Sequence, residues 1–203
     1  MPETIDPATT AILFFDLLNG HVKKDDPATQ ERYRPVIKNN VLLLNKSRAC
    51  GVLVAYAAAN HREDNRTTGQ TIRDTNNKLE PIKPGIERHF IHADTWASQV
   101  IDEIAPTKND FLIPKYRWSA FHQTYLDLIL RTQKITNLII CGGSTDVGVA
   151  STAYSARDLD YNLIFAEDAC TSHQMEGHHY FMQRVFPRMG RVRSTMQIIA
   201  MLS

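Results

Sequence analysis

The chain has 203 residues, 43% hydrophobic and 22% charged, enough to bury a core without disulfide or metal staples and the size of a single domain, expected over 1–203. Lys plus Arg is 23 and Asp plus Glu is 22, a formal charge of +1, so neither a nucleic-acid binder nor a polybasic membrane binder is expected, since both need a clustered positive field. No apolar run reaches the roughly 18 residues of a spanning helix, MPETIDPATT lacks the basic-then-apolar order of a secretory signal, and 3 widely spaced cysteines suit free thiols in the cytoplasm better than a disulfide scaffold.

Residues 11–15, AILFF, end at Asp16 and are apolar on both faces, as buried strands of a parallel sheet are. A helix is predicted over 34–50. Pro35 suits its first turn, Ile37, Val41, Leu44 and Arg48 recur at helical spacing, and Gly51 stands where a C-cap is wanted. Residues 52–59 read as a second strand. From 60 to 93 the chain is polar, then punctuated by Pro81, Pro84 and Gly85; a connection this long is a lid, a binding loop or a partner-contacting arm, or else a disordered insertion. Next come a helix over 94–104 with Asp94 as N-cap, a strand over 111–113 and a helix over 121–132. A strand over 137–141, a tight turn over 142–144 and a helix over 146–159 follow. The chain closes with a strand over 162–166, a helix over 174–188 and a short strand over 192–194. The alternation predicts an α/β, three-layer α/β/α sandwich with a mainly parallel, roughly six-stranded sheet and right-handed crossovers. Ligands of such sheets sit at the carboxyl ends of the strands.

Three features fall at that edge: Asp16, Lys115 and the loop 142–148. Each alone has an ordinary explanation, as a turn former, a solvated amine or a simple turn. Facing one pocket, the Asp and Lys form an ion pair in which the carboxylate stays ionised. The glycines of NLIICGGSTDVGVAST allow a sharp turn into a helix whose first N–H groups offer an anion or oxyanion site. A cysteine in that first turn would have a lowered pKa.

Four segments carry a resemblance: ILFFDLLNG (12–20), IPKYRWSAF (113–121), LIICGGSTDVGVASTAYSARDLDYN (138–162) and AEDACTS (166–172). In this order and spacing they resemble the isochorismatase-like, or cysteine hydrolase, superfamily. The resemblance implies a hydrolase of a small molecule. It makes Asp16 the general base that takes the nucleophile's proton and Lys115 the amine that positions Asp16 and stabilises charge. It also implies a cis peptide at Gly143–Ser144, aiming the Ser144 N–H, with that of residue 148, into an oxyanion hole.

Where the family's T-D-V-C-V pattern has its nucleophilic cysteine, this chain has Gly148, which has no side chain to attack with. Cys50, Cys141 and Cys170 read as inert thiols, and Ser144 and Ser151 as poor substitutes. Three accounts stand. The chain is an amidohydrolase acting on amide, ureide or carbamoyl C–N bonds whose nucleophile is missing, and so is inactive. Or it is an isochorismatase-type enzyme that cleaves a vinyl ether with Asp16 and no thiol. Or it is a pseudoenzyme that binds without turnover. The T-D-V run around Asp146 resembles the amidohydrolase branch.

Leu17, Asn19, His61, Arg117 and Trp118 are candidate ligand contacts. Trp118 offers a ring for a planar substrate, Arg117 a fork for a carboxylate, and His61 lines or gates the pocket. No metal site is expected, because His61 and Asp64 lack a third convergent ligand. No cofactor is expected, and His178 and His179 read as solvated or interface residues. A signalling receiver domain fits less well, since Asp25 and Asp26 lie too far from the first strand. By the resemblance the chain forms a homo-oligomer, a dimer or tetramer.

Overall fold

The computed structural model describes residues 3–69, 73–75, 78–80 and 91–202. Its strands are β1 (Thr10–Phe15), β2 (Leu53–Ala59), β3 (Arg73–Thr75), β4 (Lys78–Glu80), β5 (Phe111–Lys115), β6 (Asn137–Gly143), β7 (Asn162–Thr171) and β8 (Gly190–Arg193). Six form one sheet in the order β5-β2-β1-β6-β7-β8, parallel throughout. β3 and β4 pair antiparallel, apart from it. They belong to the arm expected over 60–93, of which 70–72, 76–77 and 81–90 lie outside the described residues.

The helices are α1 (Asn19–Val22), α2 (Pro27–Cys50), α3 (Leu126–Thr132), α4 (Ala150–Asp158), α5 (Met175–Tyr180) and α6 (Thr195–Met201). β1, at the centre, is buried along its whole length. On one face of the sheet Phe14 stacks on Tyr56 at 5.2 Å beneath α2, whose Arg48 reaches the Tyr56 hydroxyl. On the other, Phe165 stacks on Phe186 at 3.9 Å; α4 also packs on β7. The expected α/β sandwich with six strands is therefore present.

Several boundaries differ from expectation, each for a local reason. α2 begins at Pro27, not near residue 34, because the Asp26 carboxylate caps it by accepting from the Ala28 and Thr29 N–H groups. Pro35 thus lies inside the helix, on its exposed side, where the carbonyl it cannot serve faces water. The helix expected over 94–104 is two short 3₁₀ turns, Trp96–Ser98 and Asp102–Ile104. Between them the Ile101 N–H donates to the Leu17 carbonyl, and Val100 bridges Leu18, which draws the chain out straight. Asp94 is not the cap; it takes φ 58° and Thr95 precedes the first turn.

β5 continues through Pro114 to Lys115, which an edge strand tolerates because proline's missing N–H is not needed by a neighbour. Of the helix expected over 121–132 only α3 forms, since Gln123 turns the chain at φ 54°. The stretch expected as one helix over 174–188 is α5, a π-helical turn Phe181–Val185 and a 3₁₀ turn Phe186–Arg188 containing Pro187. β7 runs five residues beyond the expected 166, to Thr171. β8 spans Gly190–Arg193 rather than 192–194. α6, not expected, is opened by a reciprocal cap between Ser194 and Gln197.

Candidate active site

Asp16 leaves the end of β1 with φ 48°, a left-handed conformation that asparagine and aspartate tolerate better than most residues. Its N–H donates to the Ala57 carbonyl at 2.9 Å, and its Oδ1 accepts from the Ala59 N–H at 3.0 Å. Its Oδ2 lies 2.6 Å from Nζ of Lys115, the last residue of β5. β2 lies between the two strands, and Ala59 is the register partner of Lys115. A methyl side chain there leaves room for the ion pair to close above β2. Both side chains are almost fully buried. The Lys115 ammonium also sits 4.7 Å from the centre of the Phe15 ring, a cation–π arrangement strengthened by the loss of water.

β6 delivers the second half of the site. Gly142 has φ 109°, and a Cβ there would lie 2.2 Å from the Phe15 carbonyl oxygen, so only glycine fits. The Gly143–Ser144 peptide is cis. A π-helical turn, Thr145–Val149, then runs straight into α4. Within it the Val147 and Val149 N–H groups both donate to the Ser144 carbonyl, at 3.3 and 3.1 Å. A Cβ on Gly148 would meet the Phe15 ring at 2.3 Å (Cε1) and 2.5 Å (Cζ). Phe15 therefore touches both halves: its ring lies against Gly148 and carries the Lys115 amine.

The turn is held by polar side chains. Asp146 Oδ1 accepts from the Ser144 hydroxyl at 2.6 Å and the Ser172 hydroxyl at 2.7 Å. Burial works to raise the Asp146 carboxyl, but the two hydroxyls and its own N–H outweigh it and hold it below the usual carboxylate range. His178 Nδ1 is 2.9 Å from the Thr145 hydroxyl. His178, expected to be a solvated or interface residue, is buried within the chain where α5 packs on the turn; His179 beside it is exposed. Burial pushes the His178 imidazole below its ordinary value, His179 adds to this and Asp146 opposes it.

The remaining candidates scatter. Leu17 is 2% exposed and belongs to the core, so its side chain is not open to a ligand. Asn19 is buried and spends its amide on the Trp96 carbonyl at 3.1 Å. Arg117 donates to the Thr67 and Tyr116 carbonyls. Trp118 is 69% exposed. His61 is half-buried, edge-on to Tyr116 at 6.2 Å between ring centres. Burial lowers its pKa, and Lys115 adds to that while Asp16 opposes it. Asp64 pairs with Arg62 at 2.8 Å. Among the described residues no three His, Cys, Asp or Glu side chains converge as metal ligands would. Cys141 and Cys170 are buried, and Cys50 is half-buried.

Sequence reasoning missed Ser172, His178, Phe15 and His21. Ser172 closes AEDACTS and so stood in a marked segment without a role. Half-buried His21 feels both members of the pair: burial lowers its pKa, Asp16 opposes that and Lys115 adds to it. Phe15 gave no signal, since in sequence it is one more apolar strand residue. A cleft of about 750 Å³ opens beside the β2 and β5 ends, lined by Ala58, Asn60, Gln99, Pro114 and Tyr125 among others. Neither Asp16 nor Lys115 lines it.

The Isochorismatase domain family matches residues 10–197. The chain belongs to the isochorismatase family. It is 42% identical over 96 residues to the uncharacterized isochorismatase family protein YecD of Escherichia coli O157:H7, a match spanning 47% of this chain and about half, 51%, of YecD. It is 29% identical over 178 residues to ureidoacrylate amidohydrolase RutB of Rhizobium rhizogenes strain K84, covering 83% of this chain and 72% of RutB. Among solved structures, an isochorismatase family protein from Burkholderia thailandensis superposes with a TM-score of 0.80 at 25% identity, over 100% of this chain and 99% of the other. Among the described residues no helix is long and apolar enough to cross a membrane.

Proposed function

We propose that this chain descends from the amidohydrolase branch of the family, with its thiol route closed, and that the chemistry left to it is proton transfer by Asp16 on a small-molecule substrate. The observation that carries this is the buried Asp16–Lys115 pair standing beside Gly148, with the Phe15 ring where a side chain at 148 would project. An acyl-enzyme needs a nucleophile that residue 148 does not supply. The T-D-V run around Asp146 and the likeness to an amidohydrolase named for ureidoacrylate support the C–N lineage.

The filled space at 148 favours a second reading of the surviving activity, hydrolysis of a vinyl ether. Asp16 takes a proton from the Lys115 ammonium 2.6 Å away and gives it to the enol carbon, water adds to the oxocarbenium ion and returns a proton to the pair, and the hemiketal breaks into a ketone and an alcohol. Lys115 holds the carboxyl in place for this step. The first-turn N–H groups, those of Ser144 and Gly148 in this proposal, receive negative charge on a bound oxygen.

The test uses the native chain. A panel of ureido and carbamoyl amides is followed for ammonia release and, by intact mass, for a covalent adduct; isochorismate is followed for pyruvate release. We expect no adduct and no ammonia above the uncatalysed rate, with any pyruvate release lost in Asp16→Asn. An acyl adduct overturns the proposal, and ligand binding with no turnover of either class replaces it with a non-catalytic binder. A dimer or tetramer is part of the same proposal. The exposed Trp118, Leu128 and Tyr154 support it, and light scattering measures it.

A further inference from the structure

We propose that Phe15 is the residue that keeps this site free of a side chain at 148: its ring takes that volume and at the same time positions the Lys115 amine. The inference rests on the reading that the site works without a thiol, and it makes Phe15 a positioning residue for that chemistry.

Three observations meet here. The ring atoms Cε1 and Cζ lie 2.3 and 2.5 Å from where a Cβ on Gly148 would stand, far inside any tolerated contact between carbons. The backbone does not itself demand glycine, because Gly148 lies in a helical turn and outside the left-handed region. The demand comes from the ring. Nor is the ring free to swing aside. Phe15 is 1% exposed, and its main chain is paired with Ala57 and Gly142 on either side, so close to Gly142 that a Cβ there would strike the Phe15 carbonyl. Moving the ring also takes the aromatic face away from the Lys115 ammonium, 4.7 Å from its centre, and so loosens the partner of Asp16. One side chain thus links the identity of residue 148 to the placement of the cation.

The consequence is that a thiol cannot be restored by changing Gly148 alone. Thermal unfolding of the full chain tests the steric half through Gly148→Ala, Phe15→Val and the double variant. Gly148→Ala in the native background is expected to lower Tm by about 3–10 °C, the range for overpacking a core in a domain of this size. In the Phe15→Val background the same change leaves Tm unchanged or raises it, because alanine is the better helix former. An effect of the same sign and size in both backgrounds overturns the proposal. Phe15→Leu also lacks both ring atoms and serves the same cycle if Phe15→Val fails to fold.

The chemical half compares Gly148→Cys with Phe15→Val/Gly148→Cys, using p-nitrophenyl acetate. The new sulfur bonds to the acetyl carbon, nitrophenolate leaves, and the thiol proton passes to the Asp16 carboxylate or water. Peptide mapping assigns the adduct to 148 rather than to Cys50, Cys141 or Cys170. The double variant is expected to acetylate at 148 at least ~10-fold faster than the single one, a gain within what positioning a nucleophile supplies; equal rates overturn the proposal. Neither readout uses turnover by the native chain, so their failure and the failure of the hydrolase assays are distinguishable.

Discussion

Lys115 Nζ stands 2.6 Å from Asp16 Oδ2, at the meeting of two strands that are not neighbours in the sheet. Each charge is buried, and each is tolerable only because of the other. Lys115→Met leaves a carboxylate without its cation, and we expect a loss of about 3–5 kcal/mol. Asp16→Asn removes the charge but not the amine's need, so it too destabilises. The double variant should lose less than the sum, by about 1–3 kcal/mol. Urea denaturation of the four proteins gives these values, and strict additivity would show that the two groups do not depend on one another.

The buried His178 imidazole ties stability to pH. Its pKa is lowered by burial, so the unfolded chain binds its proton more readily than the native one. The contribution is complete above the ordinary imidazole value of about 6.5 and is lost as pH falls from there through the folded value. His178→Asn should flatten the stability profile on the acid side, whatever it does to stability at neutral pH. His21 and His61, also lowered by burial, preserve part of the slope. Urea midpoints across pH 5 to 8, roughly the range in which histidine titrates, measure the change.

Ser172 ties the end of β7 to the turn before α4 by donating to Asp146. Ser172→Ala should cost about 1–2 kcal/mol, the lower end for a hydrogen bond to a charged group because Asp146 is only half-buried. It should also raise the Asp146 pKa. That carboxyl is held low in the native state, so its contribution is present above the unfolded value and lost as pH falls through the folded one. With Ser172 removed, the loss on acidification becomes smaller, which an NMR titration of the Asp146 carboxyl and the acid denaturation limb both report.

Pro35 interrupts an otherwise regular α2 on its solvent side. Pro35→Ala restores an N–H toward the Glu31 carbonyl without disturbing the core. We expect a gain of about 1–3 kcal/mol, seen as a higher Tm; an unchanged Tm would mean that the chain before residue 35 contributes little to the cooperative unit.

The strands were legible because a central parallel strand is buried on both faces and reads as an unbroken apolar run, as 11–15 and 137–141 do. The glycine turn and the strand-end Asp16 and Lys115 were legible for the same topological reason. Short helices were not. The 94–104 stretch has helical spacing, yet main-chain pairing with Leu17 and Leu18 wins over it. Pro35 looks like a first-turn proline and so sets the expected start of α2 late, while the stronger signal, Asp26 before Pro27, lies upstream. The S-x-x-Q cap of α6, Ser194 to Gln197, is a readable signal for a helix start. Side-chain placement was the least legible layer. Leu17 turns into the core, Trp118 out to solvent and His178 inward, and each outcome depends on which helix packs where rather than on local pattern.

The ring over Gly148 imposes an order on change. Shrinking residue 15 first opens a void beside a glycine, which costs stability but keeps the strand and turn intact. Enlarging residue 148 first drives new atoms into a ring with nowhere to go. Any route between a thiol-bearing and a thiol-less version of this site therefore runs through position 15.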